Sequence, residues 1–196
     1  MARALFVIDV QNDFTEGGAL GVTGGGAVAR GITEYLRQHP DRYDEVIASR
    51  DWHDADNDNG GHFATADAPD FVATWPVHCV ADTAGADYHF ALDTDLITMH
   101  IRKGQGVPAY SIFEGFTSDG VAFRQALAER GVRDVDVVGI ATDYCVRASA
   151  RDALAEGLHV RVLTDLIAGV SADSSAASLA ELAQAGATLV ESSSHA

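Results

Sequence analysis

Short runs of apolar, β-branched residues recur along the chain and constrain its fold more than any other feature. Leu5–Ile8 is entirely apolar and Val135–Ile140 nearly so. Such runs are typical of parallel strands that are covered on both faces. The sequence predicts six strands, at Ala4–Val10, Glu45–Ser49, Leu96–Ile101, Asp134–Ile140, His159–Thr164 and Ala187–Glu191.

Four segments carry apolar residues at three- and four-residue spacing, which indicates amphipathic helices. They are Ala27–Gln38, Val121–Arg130, Asp143–Ala155 and Ser174–Ala185. Strands that alternate with helices imply right-handed crossovers and a parallel sheet. We therefore expect an α/β fold with a doubly wound, mainly parallel, six-stranded sheet and helices on both faces. The length of 196 residues suits one domain, residues 1–196.

The segment from about residue 51 to residue 95 departs from this alternation. It is rich in Asp, His, Gly, Pro and Trp and shows no sustained period. Irregular segments of this length inside a compact domain are usually functional. We expect this one to carry part of the site.

The formal net charge of −16 argues against nucleic acid and anionic membranes as partners. Such partners require clusters of Lys and Arg, and the basic residues here are scattered. Although 47% of the residues are hydrophobic, no apolar run approaches the roughly 18 residues of a membrane span. The first residues do not resemble a signal peptide. We expect a cytoplasmic enzyme with a small-molecule substrate.

Chemically active side chains follow the first four predicted strands. Asp9 comes at the end of the first strand, Asp51 and His53 after the second, Lys103 after the third and Cys145 after the fourth. Ligands of open α/β sheets bind at the carboxyl ends of the strands. The sequence therefore predicts one site at this edge.

Cys145 is the candidate nucleophile. It falls in the predicted first turn of a helix, where the helix dipole favours a thiolate. Asp9 could serve as its base and Lys103 as a neighbouring cation. The alternative is a small buried cysteine that only fills space, which is how we interpret Cys79.

Four further residues could hold a metal ion. Histidine and carboxylate ligands suit zinc, iron or manganese, and the candidates are Asp51, His53, His62 and His78. Their spacing matches no motif that ligand chemistry alone requires. Separate surface or core histidines remain the alternative.

Six motifs resemble those of a known family. They are Val7–Phe14, Asp51–His53, Trp75–Cys79, Lys103–Gly104, Tyr110–Phe113 and Gly139–Val146. On these motifs, from about Ala4 to about Val190, the chain resembles the nicotinamidases and pyrazinamidases within the isochorismatase-like cysteine hydrolases.

The resemblance implies an amidohydrolase of NAD salvage that converts nicotinamide to nicotinate and ammonia through a cysteine thioester, with pyrazinamide as a further substrate. It implies a catalytic triad of Asp9, Lys103 and Cys145, an oxyanion hole at the N–H groups of Ala141 and Cys145, and a cis peptide between Ile140 and Ala141. It also implies one divalent metal ion, zinc before iron or manganese, on Asp51, His53, His62 and His78. The implied substrate-binding residues are Phe14, Trp75, Tyr110 and Ile140.

Two features depart from the mycobacterial pattern. Tyr144 stands where the mycobacterial enzyme has a histidine, and residues 54–61 form a longer and more acidic segment. Asp56 or Asp58 could therefore replace His62 as a ligand. Two alternatives to a nicotinamidase remain. One is a cysteine amidohydrolase of the carbamoylsarcosine amidase kind, which would lack the metal ligands. The other is a non-catalytic protein that binds a metal or another ligand.

Overall fold

The computed structural model of the chain describes residues 2–65 and 67–195. Its described residues form one seven-stranded sheet in the order β4-β3-β2-β1-β5-β6-β7. All neighbouring strands are parallel except β3 and β4. The strands are β1 (Ala2–Ile8), β2 (Glu45–Asp51), β3 (Met99–Lys103), β4 (Phe116–Thr117), β5 (Val132–Ile140), β6 (His159–Ala168) and β7 (Thr188–Val190).

Helices cover both faces of the sheet. They are α1 (Gly25–Gln38), α2 (Phe123–Glu129), α3 (Arg147–Ala155) and α4 (Ala172–Ala185). Leu5 and Val7 of β1 pack in the core beneath α1, whereas Phe6 and Ile8 pack in the core beneath the other three helices. Successive strand residues point to opposite faces, so a strand buried on both sides must be apolar throughout. This explains the uniformly apolar composition of Ala4–Ile8 in β1.

The predicted fold class is confirmed, but the prediction of six strands was wrong. The missed strand, β4, has two residues and pairs antiparallel with the end of β3. A strand of two residues is too short to show the apolar run or the alternation of apolar and polar residues by which strands are recognised in a sequence. The predicted third helix also differs at its start, because Thr142–Val146 form a π-helical turn before α3 begins.

The strand order places the site. From β1 the chain proceeds to β2 and β3 on one side, and from β5 it proceeds to β6 and β7 on the other. The order therefore reverses between β1 and β5, which is where ligands bind in sheets of this kind. Asp9 follows β1 at this point, and the turn that carries Cys145 follows β5.

The predicted irregular segment folds back on itself rather than forming regular elements. Isolated bridges join His53 to Val80 and Phe63 to Trp75, and these contacts bring distant parts of the segment together. Among the described residues, no helix combines the length and the apolar character that crossing a membrane requires.

Candidate active site

The side chain of Lys103 joins the three residues that we predicted to carry the chemistry. Lys103 ends β3 and is fully buried. Its Nζ lies 2.9 Å from Oδ2 of Asp9 and 3.8 Å from Sγ of Cys145. The ammonium also contacts the carboxylate of Asp51 and donates a hydrogen bond of 3.3 Å to the carbonyl of Ala109. Lys103 is the only lysine of the chain.

Two carboxylates keep this buried amine charged. Burial alone would lower the pKa of Lys103, but Asp51 and Asp9 outweigh it and hold that pKa well above its ordinary value. Burial would likewise raise the pKa of Asp51, but Lys103 and the nearby imidazoles hold it well below the ordinary value. The pair of Asp51 and Lys103 is therefore ionised.

Asp9 is the carboxyl group best placed to exchange a proton. The residue has a φ of 47°, in the left-handed region that few non-glycine residues adopt. Its Oδ1 accepts a hydrogen bond of 2.7 Å from the hydroxyl of Ser49, and its Oδ2 faces Lys103. Burial raises the pKa of Asp9, against the opposing effect of Lys103. A base with a raised pKa holds an abstracted proton more readily.

The backbone that presents Cys145 is a wide turn. The carbonyl of Ala141 accepts hydrogen bonds of 3.1 Å from the N–H groups of both Tyr144 and Val146. Burial raises the pKa of the Cys145 thiol well above its ordinary value, and Lys103 only partly offsets this. The helix position and Lys103 favour a thiolate, but burial has the larger effect on this thiol. The thiol needs a base when it reacts, and Asp9 is beside it.

Three histidines of the irregular segment meet beside this triad. One ligand atom each from His53, His62 and His78 lies within 4.8 Å of the other two. Oδ2 of Asp51 lies 3.7 Å from Nε2 of His53 and 3.8 Å from Nε2 of His78. The structure therefore brings all four predicted ligands together. Asp56 and Asp58 are exposed and lie outside the histidine cluster, so they are not substitutes for His62.

The histidines are oriented for a metal ion. Nδ1 of His53 donates to the carbonyl of Gly104 at 2.8 Å, and Nδ1 of His78 donates to that of Pro76 at 2.7 Å. Both rings therefore keep Nε2 free, as metal-ligating histidines do. Nε2 of His53 and Nδ1 of His62 are buried without a hydrogen-bond partner, which is rare unless another group completes them. The donor set of three imidazoles and one carboxylate fits zinc, iron or manganese.

Two neighbours fix these ligands closely. A Cβ at Gly104 would lie 2.6 Å from the ring of His53, so no other residue fits there without a shift. The buried side chain of Gln11 accepts a hydrogen bond of 2.8 Å from the N–H of Asp51 and donates one of 2.9 Å to its carbonyl. The backbone pairing between β1 and β2 has already ended before Asp51. The side chain of Gln11 therefore supplies the hydrogen bonds that hold the backbone of Asp51 in place.

An aromatic cavity of 410 Å³ opens onto both groups of residues. Nε1 of Trp75 donates a hydrogen bond of 3.0 Å to the hydroxyl of Tyr110, and the Trp75 ring meets that of Tyr144 edge-on at 5.2 Å. A flat, planar ligand would fit between such rings. The lining includes Phe14, Leu20, Asp51, His62, Phe71, Trp75, His78, Tyr110, Tyr144, Cys145 and Val170.

One predicted pocket residue lies elsewhere. Ile140 is fully buried in the core beneath α1 and is not part of the cavity lining. Val138 and Ile140 lie in the same core because alternate residues of a strand point to the same face of the sheet. The peptide between Ile140 and Ala141 is cis, as expected.

Sequence reasoning missed three supporting residues. Ser49 and Gln11 support Asp9 and Asp51, and Asp143 supports the turn before Cys145. Gln11 and Asp143 lie within motifs that we quoted, but their partners are distant in sequence. Ser49 is a small polar residue inside a buried strand, and this was the only feature of the sequence that could have indicated a role for it.

Comparison with known proteins identifies the class. The isochorismatase domain family matches residues 3–194. The chain is 51% identical over 191 residues to the nicotinamidase/pyrazinamidase of Mycobacterium tuberculosis, an alignment that covers 97% of this chain and all of the relative. The chain therefore belongs to the isochorismatase domain family.

Two solved structures are also similar. PnC1 from L. infantum, in complex with nicotinate, has a TM-score of 0.84 and 38% identity over 98% of this chain and 93% of that one. The pyrazinamidase of Pyrococcus horikoshii, in complex with zinc, has a TM-score of 0.81 and 35% identity over 97% of this chain and 99% of that one. The predicted resemblance to the nicotinamidase and pyrazinamidase branch is confirmed.

Proposed function

We propose that the protein is a nicotinamidase, which hydrolyses nicotinamide to nicotinate and ammonia and also hydrolyses pyrazinamide. The observation that most strongly supports this proposal is the contact of Lys103 with both Asp9 and Cys145 at the wall of an aromatic cavity. The nicotinate bound to the L. infantum relative supports the product, and the name of the mycobacterial relative supports both substrates.

The first half of the reaction forms a thioester. Asp9 takes the proton of the Cys145 thiol, and Lys103 stabilises the negative charge that remains. The sulfur attacks the carboxamide carbon, and the N–H groups of Ala141 and Cys145 stabilise the oxyanion. One such donor typically contributes about 2.7–4 kcal/mol. The C–N bond then breaks, and Asp9 returns the proton to the departing ammonia.

The second half releases the acid. Asp9 takes a proton from a water molecule, and the resulting hydroxide attacks the thioester carbon. The C–S bond breaks, and the proton on Asp9 passes to the sulfur of Cys145. The site thereby returns to its starting state.

The metal ligands of this proposal are Asp51, His53, His62 and His78. A divalent ion held there would supply Lewis acidity that orients the ring nitrogen of the substrate, directly or through bound water. Zinc is our first choice because the P. horikoshii relative binds it. The chain's own contribution is the aromatic wall of Trp75 and Tyr110, which fixes the plane of the substrate ring.

The histidine cluster also separates this proposal from its rivals. An amidohydrolase of the carbamoylsarcosine amidase kind would not need three converging imidazoles. A non-catalytic binding protein would not need a buried ammonium between a carboxyl group and a thiol. A cytoplasmic location stays a prediction.

The test is ammonia release from nicotinamide by the purified protein, with metal analysis of the same sample. Benzamide is the matched control, because it carries the same carboxamide but no ring nitrogen. We expect nicotinamide and pyrazinamide to be cleaved at least about tenfold faster than benzamide. Equal rates on nicotinamide, pyrazinamide and benzamide would contradict the proposal that the ring nitrogen is recognised beside His53 and His78.

A further inference from the structure

Two arginines lie side by side on the sheet face opposite the side chains of Asp51 and Lys103. Arg50 of β2 and Arg102 of β3 are register partners, one residue before the register pair of Asp51 and Lys103. Their guanidinium carbons lie 4.6 and 4.2 Å from the ring centre of Trp52. Like charges on neighbouring strands repel. Such a pair needs a compensating negative charge.

The described residues supply little of that charge. Arg50 has one acidic neighbour, Asp87, at 3.8 Å, and the Asp87 side chain is 64% exposed. Nε of Arg50 is buried without a hydrogen-bond partner. No carboxylate in the part of the chain that the structure describes forms an ion pair with Arg102. This is unusual in a chain with a net charge of −16.

A groove of 350 Å³ opens at this pair, and we call it the Arg50–Arg102 groove. Its other lining residues are Thr98, Met99, His100, Thr117, Ser118, Asp119 and Arg130.

The acidic groups near the groove are already engaged. Glu45 pairs with Arg130 at 3.1 Å, and Asp119 accepts a hydrogen bond of 2.5 Å from the Thr117 hydroxyl. Burial lowers the pKa of His100, and the two guanidinium groups lower it further. The lining of the groove thus contains three arginines and a single carboxylate, that of Asp119, in an otherwise acidic protein.

We propose that the Arg50–Arg102 groove binds a small oxyanion of the phosphate class. Planar guanidinium groups bind such anions through paired, charge-assisted hydrogen bonds. The two guanidinium groups already cover the Trp52 ring, which leaves little of that ring for a nucleobase to stack on. The groove shares no lining residue with the catalytic cavity, so this site is separate from the proposed amidase site.

The test is isothermal titration calorimetry with inorganic phosphate at low ionic strength, and AMP as a second arm. We expect saturable binding of phosphate at one site per chain. Equal affinity for AMP would indicate that only the phosphoryl group is recognised, and tighter binding of AMP would extend the site to nucleotides. Both results support the proposal.

The matched variants are Arg102→Gln and Arg151→Gln. Arg151 lies on α3, pairs with Glu181 at 3.1 Å and is not among the residues that line the groove. We expect Arg102→Gln to weaken phosphate binding at least about tenfold and Arg151→Gln to leave it unchanged. Arg50→Gln provides a second test if Arg102→Gln does not fold by circular dichroism.

Three results would overturn the proposal. They are no saturable heat with the wild-type protein, a response reproduced by chloride at matched ionic strength, and equal affinity in the wild-type, Arg50→Gln and Arg102→Gln proteins. The amidase assay is independent of all three, because phosphate binding should persist in Cys145→Ala. An absence of amidase activity would therefore not contradict the proposed phosphate site. An absence of phosphate binding would not contradict the proposed amidase function.

Discussion

Asp51 and Lys103 are register partners at the ends of β2 and β3, and their side chains form a buried ion pair. The other carboxylate oxygen of Asp51 faces Nε2 of His53 and of His78. One residue thus belongs to both the catalytic group and the metal-ligand group. A substitution in either group is therefore expected to alter the position and charge of residues in the other.

Replacement of Cys145 by alanine should abolish the amidase activity, by on the order of 10⁴-fold or more. The side chain lines the cavity, so the variant should still fold. Steady-state ammonia release and a mass-spectrometric search for the thioester are the measurements. Cys79→Ala is the control, because the Cys79 side chain lies outside the cavity lining, and it should keep most of the activity. Substantial turnover by Cys145→Ala would exclude the cysteine mechanism.

Replacement of Lys103 by methionine should slow the alkylation of Cys145 by iodoacetamide near neutral pH. The lysine lowers the pKa of a thiol that burial raises, so its loss should move the rate profile to higher pH and reduce the rate by about tenfold or more. Mass spectrometry of the Cys145 peptide across pH gives the profile. An identical profile in both proteins would mean that Lys103 does not influence the thiol.

The purified protein should carry about one divalent ion per chain. Chelation should remove the ion and the activity together, and added metal should restore both. Alanine at His53, His62 or His78 should each reduce the metal content measured by mass spectrometry, since all three belong to one cluster. His159→Ala is the control, because His159 is exposed on another strand. A metal-free protein with full activity would contradict this site.

Asp143 should act as a positioning residue between the Cys145 turn and the cavity wall. Its carboxylate accepts hydrogen bonds from the N–H groups of Val170 and Ser171, at 3.0 and 3.4 Å, and from the Ser174 hydroxyl at 2.5 Å. Because Val170 lines the cavity, we expect Asp143→Ala to raise KM several-fold and to lower the free energy of unfolding by about 2–4 kcal/mol.

Asp143→Asn keeps one acceptor oxygen and should show intermediate values in the same kinetic and urea-unfolding measurements. A loss of stability with unchanged KM in both variants would show that Asp143 is structural only.

Glu16 should stabilise the start of α1 in a pH-dependent way. Its carboxylate accepts hydrogen bonds from the N–H groups of Gly24 and Gly26, at 2.6 and 2.9 Å, and these lower its pKa. A carboxyl group with a lowered folded-state pKa stabilises the protein above its unfolded-state pKa, and this contribution is lost as the pH falls through the folded-state pKa.

Glu16→Gln should therefore destabilise the protein at about pH 7 and destabilise it less as the pH falls toward about 3, by urea unfolding. Glu34→Gln, an exposed site on the same helix, should have little effect at either pH. A Glu16→Gln effect that is equal at both pH values would contradict this explanation.

The sequence alone determined the fold class and most of the chemistry. Ala4–Ile8 of β1 and Val137–Ile140 of β5 are apolar on both faces because helices cover both faces of the sheet, and this burial requires an uninterrupted apolar composition. Asp9, Lys103 and Cys145 could be found because parallel strands bring their carboxyl ends to one edge, so position along the chain predicts position in space.

Only the tertiary structure decided how the groups act on one another. The single carboxylate that serves both Lys103 and the histidines, the raised pKa of the Cys145 thiol and the place of Ile140 beneath α1 all depend on distances and burial between segments far apart in the chain. Local pattern records which face of an element is buried. It does not record which polar group from another segment lies within hydrogen-bonding distance, and that distance sets the charge and the chemistry of the site.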